Sequence, residues 1–370
     1  MAGNLRYDNP FTPSFGEVPL YMAGRTRLIN ELIRALESPR RHPGLTTCVS
    51  GARGTGKTAL LTLVAHEAEQ RGWVCASATA IPGMLEDIFE QTVDASSHLV
   101  ASTGADARVT GVGIGEFLRV EWEAPSRKEG NWRTRMSGLL DALAQNDTGL
   151  LITVDEVRAD LDEMILLAAV YQHFVREGRR VGLLMAGLPF NVSQLLQDKS
   201  VSFLRRAQGA FLGRIADLDV ELAFTRTITR GGRSISADAL SRAVKAIAGF
   251  PFMLQLVGFR AWDQAPEEAE ISYADTEAGI ELAKREMRER ILPATCRELS
   301  SGDVKFLKAM LPDEDVSSTA DIASRLGRSS SYVSQYRRRL MEQGVIGERG
   351  RGYVGFEVPM MREYLQEEFS

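Results

Sequence analysis

GARGTGKT, at residues 51–58, decides the fold of this chain. The stretch fits the pattern G-x-x-x-x-G-K-[ST]. An apolar run, LTTCVS at residues 45–50, precedes it, and a helix-forming run, TALLTLVAHEAE, begins at Thr58. A strand, a glycine-rich turn and a helix in this order aim main-chain N–H groups at phosphate oxygens, and the positive end of the helix adds to that field. The sequence therefore predicts a phosphate-binding loop.

The predicted ligands of this loop are ATP and Mg²⁺. Lys57 is expected to reach the β- and γ-phosphates, and Thr58 is expected to hold the metal ion. The other expected contacts of the loop with the nucleotide are Gly51, Arg53, Gly54, Thr55, Gly56 and Ala59. The alternative is a glycine-rich turn that binds nothing.

Two acids end a second apolar run, GLLITVDE at residues 149–156. An acid at the end of a buried strand is costly unless it has a partner. We expect Asp155 to hold Mg²⁺ and Glu156 to act as the general base that polarises the attacking water. We also expect the strand that ends in Asp155 to lie next to the strand before the loop. The alternative is an ordinary strand end with solvated acids.

Apolar strands alternate with helical segments through the first half of the chain, with further strands predicted at residues 73–80 and 181–187. This alternation predicts an α/β fold, a P-loop NTPase parallel sheet covered by helices on both faces. Glycine-separated β-branched residues predict a β-hairpin insertion near residues 103–128. After residue 225 helices dominate. The expected division is a nucleotide-binding core (1–225), a helical lid (226–296) and a C-terminal winged helix-turn-helix (297–370).

The C-terminal prediction depends on SSTADIASRLGRSSSYVSQYRRRLMEQ at residues 317–343, where Gly327 separates two helices, and on the glycine-bearing hairpin that follows. A helix of this kind reads base edges in a major groove. Residues 328–351 include six arginines and two acids. The resulting local charge of +4 suits phosphate contacts. The expected contacts with double-stranded DNA are Ser331, Gln335, Arg338, Arg339, Arg349 and Arg351. The alternative is a module that packs on protein.

The overall composition limits the function classes. The net charge of the 370 residues is −5, so any contact with nucleic acid has to come from a local patch. The N-terminus lacks the apolar stretch of a signal peptide, and no run of eighteen apolar residues exists. Three cysteines show no disulfide framework spacing. We therefore expect a cytoplasmic protein without membrane contact.

GARGTGKT followed by LLITVDEV resembles the AAA+ superfamily of ATPases. NPFTPSFGEVPLYMAGRTRLINELIRAL, at residues 9–36, is similar to the adenine-holding segment of origin-recognition-like AAA+ and STAND ATPases, in which the backbone at Gly24 and Arg25 would border the base. GFPFMLQLVG, at residues 249–258, is similar to the lid motif of the same group. In that motif the turn at Pro251 would face the nucleotide.

The resemblance also implies arginine fingers from a neighbouring subunit, and hence a homo-oligomer. Arg206 and Arg214 lie in the segment where the family places such residues, and we expect them to be catalytic. The alternative is a pair of solvated surface arginines.

The chain departs from the family pattern at two positions. Ala186 and Gly187 stand where many relatives place a polar sensor, for which Asn191 is a candidate replacement. Pro251 stands where replication initiators usually have a sensor arginine. These departures imply slow turnover.

Three functions follow from these predictions. The first is an ATPase whose nucleotide state controls a DNA-binding winged helix. The second is a STAND-type signalling ATPase whose winged helix binds protein partners. The third is a nucleotide-bound structural component with negligible turnover.

Overall fold

The computed structural model describes residues 7–14, 16–102, 131–297 and 299–368, and it describes the side chains of all of these except residues 97–102. The hairpin expected near residues 103–128 therefore lies outside the described residues. In the described part of the chain, no helix has both the length and the apolar character needed to cross a bilayer.

A five-stranded parallel sheet organises the first half of the molecule, in the order β2-β3-β4-β1-β5. Its strands are β1 (Thr46–Gly51), β2 (Val74–Thr79), β3 (Leu150–Asp155), β4 (Val181–Gly187) and β5 (Gln208–Leu212). The predicted parallel sheet is confirmed. The expectation that β3 lies next to β1 is wrong, because β4 lies between them. All residues of β4 are buried, as expected of a continuously apolar central strand.

Helices cover both faces of this sheet. They are α1 (Thr26–Glu37), α2 (Lys57–Glu69), α3 (Met84–Ser102), α4 (Trp132–Ala144), α5 (Asp162–Arg176) and α6 (Pro189–Gln197). Alternate residues of β4 belong to two separate hydrophobic clusters: Leu183 and Met185 to one, Leu184 and Ala186 to the other. Side chains of a strand point alternately to the two faces, so each face has its own core.

A helical lid follows β5. Its elements are α7 (Asp217–Arg230), β6 (Ser234–Ile235), α8 (Ala237–Ile247), α9 (Pro251–Trp262), β7 (Glu270–Ile271) and α10 (Tyr273–Glu286). The predicted boundary at residue 225 falls inside α7. The N-terminal leader belongs to this module by its packing, because the Phe11 ring lies 5.2 Å from the Phe224 ring and 6.5 Å from the Trp262 ring.

The C-terminal module combines helices with a three-stranded antiparallel sheet in the order β8-β10-β9. Its elements are α11 (Leu292–Arg297), α12 (Ser301–Met310), β8 (Ser317–Ser318), α13 (Thr319–Leu326), α14 (Ser330–Glu342), β9 (Ile346–Glu348), β10 (Tyr353–Phe356) and α15 (Met361–Glu368). The predicted boundary at residue 296 falls inside α11. Gly327, with φ of 58°, ends α13 and turns the chain into α14. Val333 and Leu340 of α14 are buried.

Candidate functional site

A cavity of about 480 Å³ lies between the core, the leader and the first turns of α9. Most of the residues predicted to bind a nucleotide line it, together with the predicted general base: Arg25, Arg53, Gly54, Thr55, Gly56, Lys57, Thr58, Ala59, Glu156 and Pro251. The structure therefore brings together residues from four separate parts of the sequence.

The loop between β1 and α2 has the conformation that its glycines permit. Gly54 and Gly56 have φ values of 74° and 86°, which L side chains rarely adopt. Gly51 needs to be glycine for a different reason: an added Cβ would lie 2.6 Å from Thr55 Oγ1 and 2.7 Å from the Leu212 carbonyl oxygen.

Lys57 is a buried cation at the start of α2. Its Nζ donates to the carbonyl oxygens of Gly51 at 3.0 Å and Ala52 at 2.9 Å. Burial lowers the pKa of Lys57, and the nearby carboxylates of Glu156 and Asp155 oppose that shift. The ammonium group thus sits at the cavity wall with main-chain carbonyls as its hydrogen-bond acceptors.

Asp155 and Thr58, the two predicted metal ligands, meet behind the loop. Thr58 Oγ1 donates to Asp155 Oδ2 at 2.5 Å, and Asp155 Oδ1 accepts the N–H of Glu156 at 2.8 Å. Mg²⁺ prefers oxygen ligands and takes few of them from the protein. A hydroxyl and a carboxylate that meet beside Lys57 fit such an ion.

Glu156 is placed by an unusual backbone turn. Its φ is 54°, which is uncommon for a residue with a side chain and is often found at functional sites. The next residue, Val157, returns to the sheet by donating its N–H to the Ala186 carbonyl at 2.9 Å. The exposed carboxylate of Glu156 lines the cavity.

The leader is fixed near Gly24 and Arg25. Gly24 has a φ of 67°, and an added Cβ would lie 3.2 Å from Asp219 Oδ2. Arg25 Nη2 donates to the Gly213 carbonyl at 2.5 Å. Burial lowers the pKa of Arg25, against the opposing effect of the Asp219 carboxylate. The Arg25 guanidinium therefore binds the segment after β5. Arg25 also lines the cavity.

The turn of the lid at Gly249 contacts the same segment after β5. Gly249, with φ of 75°, leaves no room for a side chain, because an added Cβ would lie 2.5 Å from the Ile215 carbonyl oxygen. Ile215 donates its N–H back to the Gly249 carbonyl at 2.8 Å. Pro251 then begins α9. The contact fixes the start of α9 over the loop, where an added Cβ at Gly54 would lie 3.4 Å from Phe252 Cβ.

The predicted arginine fingers lie away from the cavity of their own chain. Arg206 is exposed at the end of the 3-10 segment Lys199–Arg206. Arg214 lies over the Phe250 ring, 4.5 Å from its centroid, and lines a second cleft between core, lid and C-terminal module. Neither guanidinium lines the cavity around the loop.

The end of β4 offers no polar side chain to the cavity. An added Cβ at Gly187 would lie 2.8 Å from Val157 Cγ2, so the position next to the Glu156 turn is filled by packing. Asn191, the candidate replacement, lies in the first turn of α6 and outside the residues that line the cavity.

The predicted DNA contacts on α14 divide into two groups. Ser331 and Gln335 are exposed. Arg338 lies over the ring of Phe190 on α6, 5.5 Å from its centroid, and forms an ion pair with Glu342 at 3.1 Å. Arg339 instead faces α12, where its Nε lies 3.2 Å from the buried Asp303 carboxylate.

The hairpin between β9 and β10 likewise holds one arginine inward and one outward. Arg349 forms an ion pair with Glu357 and donates to the Phe356 carbonyl at 3.2 Å. Arg351 is exposed at the tip. The ring contact and the ion pairs involve the other three predicted DNA contacts. The exposed side chains that face solvent are therefore those of Ser331, Gln335 and Arg351.

Sequence reasoning missed several polar residues of the cavity, among them Thr12 and Gln255. The Thr12 N–H donates to Gln255 Oε1 at 3.0 Å. The one available signal was the amide within the otherwise apolar run PFMLQLVG.

Comparisons with known proteins agree with this geometry. Residues 21–184 match the family model of an AAA ATPase domain, and residues 289–365 match a domain of unknown function, DUF8462. No curated protein sequence matches the chain.

Several solved structures share the fold. The Walker-type ATPase PABY2304 of Pyrococcus abyssi has a TM-score of 0.67 at 14% identity, over 92% of this chain and 95% of that one. The ORC2 protein of Aeropyrum pernix has a TM-score of 0.62 at 13% identity, over 98% of each chain. Cdc6p from Pyrobaculum aerophilum has a TM-score of 0.50 at 13% identity, over 97% and 98%. At these identities the likeness is one of fold.

Proposed function

We propose that this chain binds and hydrolyses ATP in the cavity between core and lid, because residues 21–184 match the family model of an AAA ATPase domain and the chain shares the fold of the ORC2 protein of Aeropyrum pernix. The observation that carries the proposal is the position of the Lys57 ammonium, held by main-chain carbonyls beside the Thr58–Asp155 oxygen pair. The ORC2 protein of Aeropyrum pernix is described in ADPNP-ADP complexes, which supports an adenine nucleotide here.

Each residue has a chemical task in this proposal. Thr58 and Asp155 would hold Mg²⁺, which neutralises charge on the phosphate oxygens when bound. Lys57 would bind the β- and γ-phosphates. Glu156 would orient and polarise the attacking water, and its exposed carboxylate at the cavity suits that task.

Arg206 and Arg214 would act on the nucleotide of a neighbouring copy. Their distance from the cavity of their own chain supports a contribution in trans. Hydrolysis per subunit that rises with protein concentration, and that falls in Arg206→Ala or Arg214→Ala, is the expected result. Turnover that is independent of concentration and of both arginines would remove them from the catalytic machinery.

We further propose that the C-terminal module is a winged helix that binds double-stranded DNA under the control of the nucleotide. The exposed side chains of Ser331, Gln335 and Arg351 and the local charge of +4 support this. The module also contacts the core next to the nucleotide site: an added Cβ at Gly344 would lie 2.8 Å from Leu188, which directly follows β4. A conformational change at Glu156 would reach the C-terminal module through Val157 and the end of β4.

Salt titration of duplex binding tests the DNA proposal. The affinity measured with ATP present should fall steeply as salt rises, and the variant Arg338→Ala plus Arg351→Ala should reduce both the affinity and the steepness. Absence of duplex binding in the presence of ATP and ADP would sink it.

A STAND-type signalling ATPase is the second candidate function. The packing of α14 on α6 through Arg338 and Phe190 favours it, because the helix assigned to DNA already contacts protein. In that case the C-terminal module would bind a protein partner, and duplex DNA would not compete with the contact to the core.

A further inference from the structure

Gln255 is a buried amide on the wall of the nucleotide cavity. Only 9% of the residue is exposed, and it lines the cavity together with the loop. It follows Phe252, which lies against Gly54 of the loop, by three positions on α9. A helix rises about 1.5 Å per residue, so Gln255 lies about 4.5 Å further along α9 than Phe252. This places it towards the leader, at the end of the cavity away from Gly54.

The orientation of this amide is fixed by the leader. The Thr12 N–H donates to Gln255 Oε1 at 3.0 Å. A main-chain N–H can only donate, so the amide oxygen faces Thr12. In the flipped amide, the NH₂ group of Gln255 would face the N–H of Thr12, which places two donors against each other. The Gln255 amide therefore has a fixed orientation, so its two N–H groups and the second lone pair of Oε1 have defined positions.

We propose that Gln255 selects adenine over guanine. A carboxamide with one donor and one acceptor pairs bidentately with the exocyclic amine and a neighbouring ring nitrogen of adenine. Guanine has a carbonyl oxygen in place of that amine, so two acceptors would meet at Oε1. The inference rests on the proposed binding of ATP in this cavity and adds the residue that recognises its base.

Thr12 is the positioning residue of this arrangement. Without its N–H the amide can rotate and present its donors to guanine O6, so the preference for adenine should weaken even though Gln255 is still present. Two substitutions separate the N–H of Thr12 from its side chain. Thr12→Pro removes the main-chain donor, whereas Thr12→Val retains the donor and removes only the hydroxyl.

The test compares the dissociation constants of ATP and GTP, both with Mg²⁺, for the 370-residue chain and its variants by calorimetry. The wild type should prefer ATP by about 10- to 100-fold, the size of a good bidentate base contact. Gln255→Leu should bring the ratio to within about 3-fold of unity. Thr12→Pro should lower the ratio towards that of Gln255→Leu, while Thr12→Val should keep the wild-type ratio.

The outcomes distinguish this inference from the proposed function. A wild-type chain that binds neither nucleotide would overturn the proposed function itself. Binding of ATP with an unchanged ATP/GTP ratio in Gln255→Leu would overturn the role of Gln255 alone. An unchanged ratio in Thr12→Pro would overturn the positioning role of Thr12. A loss of stability without a change in the ratio counts against the inference, because a structural role moves both affinities together.

Discussion

Lys57 of the nucleotide cavity and Lys284 of the cleft between core, lid and C-terminal module differ in how their charge is compensated. In the cleft, Lys284 pairs with Glu281 at 2.8 Å. In the cavity, Lys57 donates to main-chain carbonyls. Carboxylate partners satisfy a cation within the chain, whereas carbonyl partners leave its positive charge for an anionic ligand. The difference supports the proposal that the cavity, and not the cleft, binds phosphate.

The largest expected effect tests this difference between the cavity and the cleft directly. Lys57→Met should weaken ATP binding by roughly 100-fold or more, because a buried charge that faces the phosphates is lost. Lys284→Met is the matched control in the cleft, and it should leave ATP affinity unchanged. Calorimetric titration with Mg-ATP measures both. An equal loss in the two variants would show that the cleft and the cavity do not differ as ligand sites.

The second effect concerns turnover instead of binding. Glu156→Gln should lower steady-state ATP hydrolysis by about 10²- to 10⁴-fold, the usual contribution of a general base. ATP affinity should stay within about 3-fold of the wild type, since the carboxamide has the same shape. Wild type and variant that are equally inactive at all concentrations would leave the chain as a nucleotide-bound structural component.

Most of the predicted nucleotide contacts line one cavity, whereas the predicted neighbour of β1 in the sheet was wrong. β1, β3 and β4 were recognisable because each is a continuous apolar run, but such runs do not specify their order. β5, with the sequence QGAFL, was missed. As an edge strand it alternates exposed and partly buried residues and contains a glycine, which weakens its signal.

Partners that lie far away along the chain were not visible in the sequence. Arg339, a predicted DNA contact, forms an ion pair with Asp303, which lies 36 positions earlier. Gln255 acquires a defined orientation only through Thr12, which lies 243 positions away. The phosphate loop needed no such partner, because glycine positions, lysine and hydroxyl are all within eight consecutive residues. Local motifs were therefore predictable, and side-chain roles set by distant contacts were not.

The contact between α14 and α6 sets the third prediction. Phe190→Ala removes the ring beneath Arg338 and should raise duplex affinity by about 2- to 5-fold, because an exposed cation–π contact contributes about 0.5–1 kcal/mol. Phe211→Ala, an exposed aromatic of the cleft, is the control and should leave duplex affinity unchanged. Duplex affinity is measured by fluorescence anisotropy at fixed salt. A decrease in Phe190→Ala would show that the docked α14 is the DNA-binding form.

The smallest effect concerns an ion pair with a purely structural role. Arg325 binds both oxygens of Asp313 at 2.6 Å and joins α13 to the turn that follows α12. These hydrogen bonds lower the pKa of Asp313 to about 2 from its ordinary value of 3.8. A depressed pKa contributes stability above the unfolded-state value, and the contribution is lost as pH falls from about 3.8 through about 2.

Asp313→Asn should therefore lower the free energy of unfolding by about 1 kcal/mol at neutral pH, since water screens a partly exposed pair. The deficit should shrink as pH falls from about 3.8, where the carboxyl group of the unfolded chain becomes protonated, through about 2, where that of the folded chain does. Urea denaturation at several pH values measures it. Glu342→Gln, which breaks the more exposed pair with Arg338, should cost less. A deficit that is the same at every pH would mean that Asp313 acts through packing and not through its charge.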